Sequence, residues 1–429
     1  MDSRDHETSG IDLDLTDILS EVGKSLESCL KTLKSLGPRL EKAIHHDERL
    51  PDAQVLEKAA QAVDLANQVQ QLLDPSELIL ADHFLGYVRA KSLVATVQQR
   101  VPDTLKECGP MALEALAEAT GSDADILGQV LHILCAQGIF RYEDGTGRYA
   151  NSTASSLLCS DHWTQWHNWA TMYGTQFYDI ARGIPAVVVR KGDDDTTNKH
   201  HRSAAQVNYD TDEDMFSYFR TRGWVPELHR TLSGGAAAQM PGILADYPWG
   251  EVGEGLVMDI GGGQGQFLAG LLRTFPRMRG GLFDRPHIIE HARPFFSPGG
   301  QYSDVGERIA DVDMVGGDFF QFVPPAAVYT MKWCLHDWKD EQAVDILRKI
   351  HQSMTPGPNS RLILLESFLA DSHSGRLSQY GNINMMMTIG GQERTEKQWR
   401  DLVAKAGWRI ERVYNLRRAW VKAIDLRQI

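Results

Sequence analysis

The sequence holds no apolar run near the ~20 residues that a membrane-spanning helix requires. Its first residues, Met1-Asp-Ser-Arg-Asp-His-Glu-Thr8, lack the apolar core of a secretory signal. Membrane-spanning and secreted classes are therefore set aside, and a soluble, cytoplasmic protein is expected. Positive charge is short as well: 44 Lys and Arg against 57 Asp and Glu leave a formal net charge of -13. That balance opposes broad attraction to nucleic acid or to an anionic membrane surface, so small molecules are the expected partners. Five cysteines, Cys29, Cys108, Cys135, Cys159 and Cys334, are scattered without paired short spacings. They suggest neither a metal site nor a disulfide framework, and reduced structural thiols are the expectation. What is present is an ordinary globular composition, 42% hydrophobic and 8% aromatic over 429 residues, enough for two or three domains.

The most informative stretch is Val257-Met-Asp-Ile-Gly-Gly-Gly-Gln-Gly-Gln-Phe267, an apolar strand running through a glycine hinge into a helix. Glycines at 261, 263 and 265 allow a tight turn and let backbone amides approach a nucleotide-like ligand. The dinucleotide fingerprint is incomplete, because Gln266 stands where its third glycine belongs, three residues after Gly263. Two further short strands end in acids: Gly-Leu-Phe-Asp284, and Val312 to Val315 followed by Gly-Gly-Asp318. Ligands of open parallel sheets bind at the carboxyl ends of strands, so Asp284 suits ribose hydroxyls and Asp318 an adenine amine. Either acid alone reads as a helix cap.

The ordered set Asp-Ile-Gly-Gly-Gly-Gln-Gly, Phe-Asp-Arg-Pro-His, Gly-Asp-Phe-Phe, Lys-Trp-Cys-Leu-His-Asp-Trp and Gly-Gln-Glu-Arg-Thr resembles the plant and fungal S-adenosylmethionine-dependent O-methyltransferases of the caffeate type. The resemblance is strong from about residue 245 onward and looser from about residue 80. It implies that Gly261, Gly263, Asp284, Asp318, Phe319 and Lys332 hold S-adenosyl-L-methionine, and that the chain is a homodimer. It also implies three segments: amphipathic helices at 1–80, a winged-helix-like dimerisation and substrate-wall domain at 81–245, and a cofactor-binding catalytic domain at 246–429. The fold class expected is α/β, a doubly wound Rossmann-like sheet with a C-terminal antiparallel hairpin behind a mainly helical domain. Strand candidates are 256–260, 280–284, 312–316, 326–333, 361–368, 408–415 and 419–426. The last two leave no room for a crossover helix and so form the hairpin, a feature typical of class I methyltransferases.

Upstream, Leu15, Ile18, Leu19, Val22, Leu26, Leu30 and Leu33 recur at helical spacing up to a stop at 36–38. A second stripe follows at 52–73. Met111 to Asn151 reads as two short helices and two strands, a winged-helix pattern. Its second helix carries Asp123 and Asp125 and no lysine or arginine, which argues against DNA reading. Trp163, Trp166 and Trp169 place three aromatics on a helix expected to begin near Asp161, either lining an apolar cavity or packing between domains. The polar segment 190–202 reads as an exposed insertion, and Asp214 to Phe219 as a helix leading into the catalytic domain.

Methyl transfer from a sulfonium to oxygen is an in-line displacement that needs the hydroxyl proton to leave. His336, after the fourth strand of the catalytic domain, is the candidate base, with capping of the following helix as its structural alternative. By the same resemblance Glu366 and Glu393 flank the imidazole, fixing its tautomer and stabilising the imidazolium. A phenol near 10 and a histidine near 6.5 leave a mismatch of some 3.5 units, roughly 5 kcal/mol against complete prior deprotonation. Asn382, Asn384 and Met385 to Met387 lie on a helix where one or two face the acceptor. The expected activity is O-methylation of an aromatic or polyketide-type secondary metabolite. A cyclase on the same scaffold, using the sulfonium as a fixed charge, is the second reading, and an inactive binding subunit the third. Retention of His336, Glu366 and Glu393 argues for transfer.

Overall fold

The computed structural model describes residues 14–45, 49–189 and 202–429. The insertion expected at 190–202 lies, except for Arg202, outside the described residues. The chain divides into two units, one through Ala59 and one from Ala60. In the first, helix Leu15–Leu36 starts where the Asp14 carboxylate accepts from the Thr16 amide (2.9 Å) and stops at Gly37, whose φ of 41° with ψ of -125° is a combination that favours glycine. None of this helix's residues is buried. Helix Pro38–His45 follows, and helix Ala53–Leu73 runs from the first unit into the second. Among the described residues, no helix is long and apolar enough to cross a membrane.

Helices Leu113–Thr120 and Ala124–Ala136 precede strands β1 (Phe140–Glu143) and β2 (Arg148–Asn151), which pair antiparallel, and Met111 bridges to Tyr149 to complete the wing. Leu116, Leu127, Leu131, Leu134 and Phe140 form a core beneath them. The helix expected from Asp161 begins later, at Trp166. Gln165 takes the left-handed conformation (φ 54°), which breaks helical continuity, and Trp163 stays outside on the surface, 45% exposed. Trp166 and Trp169 instead pack on Trp420, with ring centroids 5.1 and 4.9 Å away, and Trp420 lies 6.0 Å from Trp333. Helix Met215–Thr221 is capped by Asp214, as its sequence suggests, and leads into helix Val225–Asp246. Gly235 in that helix leaves the space that Trp169 fills, since a Cβ there would lie 2.4 Å from the indole.

Seven strands make the catalytic sheet: β3 (Leu256–Ile260), β4 (Arg279–Asp284), β5 (Ile309–Gly316), β6 (Val328–Lys332), β7 (Arg361–Glu366), β8 (Trp408–Asn415) and β9 (Lys422–Gln428). Their order is β5-β4-β3-β6-β7-β9-β8, parallel from β5 to β7, with β9 antiparallel to β7 and to β8. The expected hairpin is therefore present, with its second strand on the inside. β3 and β6 flank the point where strand order reverses, the place where ligands of such sheets bind. β6 is shorter than its apolar run, because Trp333 turns to φ 49° and ends the strand at Lys332.

A buried carboxylate, Asp425, sits inside this sheet between two arginines, Arg361 and Arg427. Arg361 Nη1 lies 3.2 Å from Asp425 Oδ2, both nearly fully buried, and Tyr247 donates its hydroxyl to the same oxygen at 2.7 Å. Replacing Arg361 by methionine leaves Asp425 buried with only the longer ion contact, to Arg427 Nε, 3.3 Å from Oδ1. We expect a loss of about 3–5 kcal/mol in denaturant unfolding. A change within experimental error would mean that Arg427, already paired with Asp425, balances the charge alone.

Candidate active site

The glycine hinge leaves β3 with positive φ at 261, 263 and 265 (68°, 58° and 80°) and enters helix Gln266–Thr274. Gly262 is held tightest: a Cβ there would lie 2.4 Å from Leu282 and 2.5 Å from the Asp259 carboxylate. Gly263 faces open space, and its amide donates to Asp284 Oδ2 at 2.9 Å. Asp284, at the end of β4, also accepts from the Arg285 amide at 2.7 Å. Asp318, beyond β5, is exposed and accepts from the Phe320 amide at 3.0 Å, so it caps its own turn. Phe319 is half-buried and meets Trp338 edge to face at 5.8 Å. Lys332 ends β6, where burial lowers its pKa while Asp259 and Glu366 oppose that shift. Hinge, acids and lysine thus gather at the carboxyl ends of β3 to β6. The glycine cradle and the Asp284 carboxylate at its lip suit a ribose-bearing ligand.

His336 stands on the single turn Leu335–Asp337, and helix Asp340–Ser353 starts only later, so the imidazole caps no helix. It is buried, 6% exposed. Nδ1 lies 3.0 Å from Glu393 Oε1 and 3.8 Å from Glu366 Oε2, and Nε2 lies 3.3 Å from Asp337 Oδ1. Glu366, at the end of β7 and fully buried, holds the turn by accepting from the Cys334 and Leu335 amides at 3.0 and 2.9 Å. Oε2 of Glu366 and Oε2 of Glu393 are buried and accept no hydrogen bond among the described residues. Burial by itself lowers the His336 pKa; the charge of Glu366, the bond from Glu393 and the charge of Asp337 outweigh it and push it up to about 10. Burial in turn lifts Glu366 to about 7, against the pull of the imidazole.

Three supports of this cluster were not legible as such in the sequence. Arg394, fully buried, donates Nη1 to Leu335 O (3.1 Å), Nη2 to Trp338 O (2.7 Å) and Nε to Asp340 Oδ1 (2.9 Å), pinning both ends of the turn that carries His336. Asn382, on helix Arg376–Thr388, accepts from the Glu393 amide at 2.9 Å. Gly391 lies so close that a Cβ would come within 2.3 Å of the His336 carbonyl oxygen, and the Gln392 amide bonds that oxygen at 2.8 Å. The motif Gly-Gln-Glu-Arg-Thr was visible; its grip on residues more than fifty positions upstream was not.

A Rossmann-like sheet with an inserted antiparallel strand, behind a helical and winged region and with a cofactor-shaped hinge beside a histidine, defines a methyltransferase. The chain belongs to the O-methyltransferase family. The family's O-methyltransferase domain matches residues 252–409 and its dimerisation domain residues 81–161. The chain is 50% identical over 413 residues to O-methyltransferase aclM of Aspergillus oryzae, covering 95% of this chain and 94% of aclM. It is 44% identical to O-methyltransferase verK of Clonostachys rogersoniana, over 89% of this chain and 91% of verK. Among solved structures it is similar to CalO1, a methyltransferase in calicheamicin biosynthesis in its SAH-bound form. The TM-score is 0.69 at 26% identity, covering 82% of this chain and 98% of CalO1.

Proposed function

We propose that the protein transfers a methyl group from S-adenosyl-L-methionine to a hydroxyl of an aromatic or polyketide-type secondary metabolite, with His336 as general base. The observation that carries this reading is the buried imidazole held at Nδ1 by Glu393, with Nε2, 3.3 Å from Asp337 Oδ1, as the nitrogen that takes the hydroxyl proton. Similarity to aclM, to verK and to SAH-bound CalO1 supports the cofactor and the secondary-metabolite class. The dimerisation-domain match supports a homodimer, and five free cysteines fit a cytoplasmic setting.

The cofactor supplies an electrophilic methyl on its sulfonium. In this reading the Gly261 to Gly265 turn, Asp284, Asp318, Phe319 and Lys332 bind and orient it at the sheet's switch point. Asp284→Ala removes a charged acceptor that also braces the Gly263 amide, a loss of about 1.5–3 kcal/mol. We expect cofactor affinity measured by calorimetry to fall roughly 10- to 100-fold; unchanged affinity would remove Asp284 from the site.

The acids around His336 alter the proton arithmetic. With the imidazole pushed up to about 10, its affinity for a proton matches that of a phenol near 10, so transfer from acceptor to Nε2 runs nearly level. The same acids keep the imidazole charged at neutral pH, and only its neutral form is a base. kcat/KM should therefore climb with pH, with an apparent pKa above histidine's ordinary ~6.5. An apparent pKa at or below ~6.5 contradicts this account of the base.

The direct test incubates the purified protein with S-adenosylmethionine and a panel of aromatic hydroxyl compounds. Stoichiometric S-adenosylhomocysteine and O-methyl product are expected. Product formed without S-adenosylhomocysteine would instead identify a cyclase that uses the cofactor as a fixed charge.

A further inference from the structure

We propose that His336, Glu366 and Glu393 form a binding site for a zinc-like divalent cation, which inhibits methyl transfer by occupying Nδ1 of the base. The inference rests on the reading of His336 as base and adds a ligand to that cluster. One nitrogen and two carboxylate oxygens lie within 4.8 Å of one another, all from buried residues. Nδ1 stands 3.0 Å from Glu393 Oε1 and 3.8 Å from Glu366 Oε2. Tetrahedral zinc, with bonds of about 2.0–2.2 Å, sets its ligands roughly 3.3 Å apart, so both carboxylate oxygens stand near that spacing from Nδ1 and a closure of the two carboxylates onto the ion completes the site. Glu366 Oε2, on a fully buried side chain, faces Nδ1 yet accepts no hydrogen bond among the described residues, and Glu393 keeps a second buried oxygen in the same state. Such oxygens suit a cation, and imidazole with carboxylates is a zinc donor set.

Two carboxylates balance the ion's charge. Binding displaces the Nδ1 proton to solvent, and the metal takes the lone pair that proton occupied. The neutral imidazole then carries its remaining proton on Nε2, the nitrogen that must accept from the acceptor hydroxyl. The base is blocked although the cofactor hinge is untouched. Magnesium, which prefers six oxygen ligands and keeps its water, is the wrong ion for this enclosed N,O site.

The test titrates chelator-treated, full-length protein with zinc chloride by calorimetry and assays methyl transfer in parallel, with magnesium chloride as control. We expect one tight zinc site, weakened about 100-fold or more in the isosteric variant Glu393→Gln and likewise in Glu366→Gln. Zinc should lower kcat while KM for the cofactor stays constant, and magnesium should do neither. Equal zinc affinity in wild type and both variants places the metal on surface histidines and overturns the proposal. Tight uptake with undiminished turnover, alongside an inactive His336→Ala variant, overturns the inhibition alone; an active His336→Ala variant overturns the functional reading beneath it.

Discussion

His336→Ala should lower kcat by a factor of about 10² to 10⁴ while leaving affinity for S-adenosylmethionine unchanged. The two effects separate because the residue and the cofactor hinge are built on different loops. The hinge follows β3, whereas His336 follows β6 on a turn held by Glu366 and Arg394. Alanine removes the proton acceptor without disturbing the backbone that those residues grip. Positioning of acceptor and methyl survives, and this keeps the residual rate above the uncatalysed one. Glu366 and Glu393 are then left facing a cavity without their cation, so the variant also loses some stability, which thermal unfolding will show. Turnover retained above about a tenth of wild type is too much for a missing general base and would assign His336 a packing role.

The second large effect comes from a residue that touches no reactant. Gly391 has no positive φ, so alanine is acceptable to its backbone; the obstacle is the His336 carbonyl oxygen, 2.3 Å from where the new Cβ would sit. That oxygen also accepts from the Gln392 amide, so the strain cannot be relieved without moving the turn. Restoring contact distance requires a shift of roughly 1 Å, and misplacement on that scale can cost about 10²-fold in rate. We expect kcat to fall by that order, cofactor affinity to hold, and stability to drop by about 1–3 kcal/mol. A Gly391→Ala enzyme with wild-type kcat would show that the loop yields elsewhere and that the placement of His336 is not set by this contact.

Legibility in the sequence followed the range of the interaction. The hinge was readable because glycine spacing encodes backbone conformation locally, and strands 256–260 and 408–415 have the bounds expected of them. The aromatic spacing at 163, 166 and 169 misled because helical periodicity continues on paper through Gln165, whose left-handed backbone leaves no trace in a pattern of side chains. Strand β6 ended early for the same kind of reason, at Trp333. The Glu-His-Glu grouping was reached through resemblance rather than spacing: its members stand on a turn, a strand end and a loop that only the folded sheet brings together. Arg394 and Gly391 act at still greater remove, through shape and burial.

Because β9 lies between β7 and β8, the strand made last among the seven is an interior one. A ribosome that has not yet delivered Lys422–Gln428 leaves β7 with an open edge, and Glu366 at its tip braced by β6 on one side only. The parallel strands β3 to β7 are complete some sixty residues earlier in synthesis, and long-range pairing of this kind is slow and exposed to misassociation. The edge beside the base is therefore closed only after β8 and β9 are made, and nascent chains stalled inside the hairpin should be captured by chaperones.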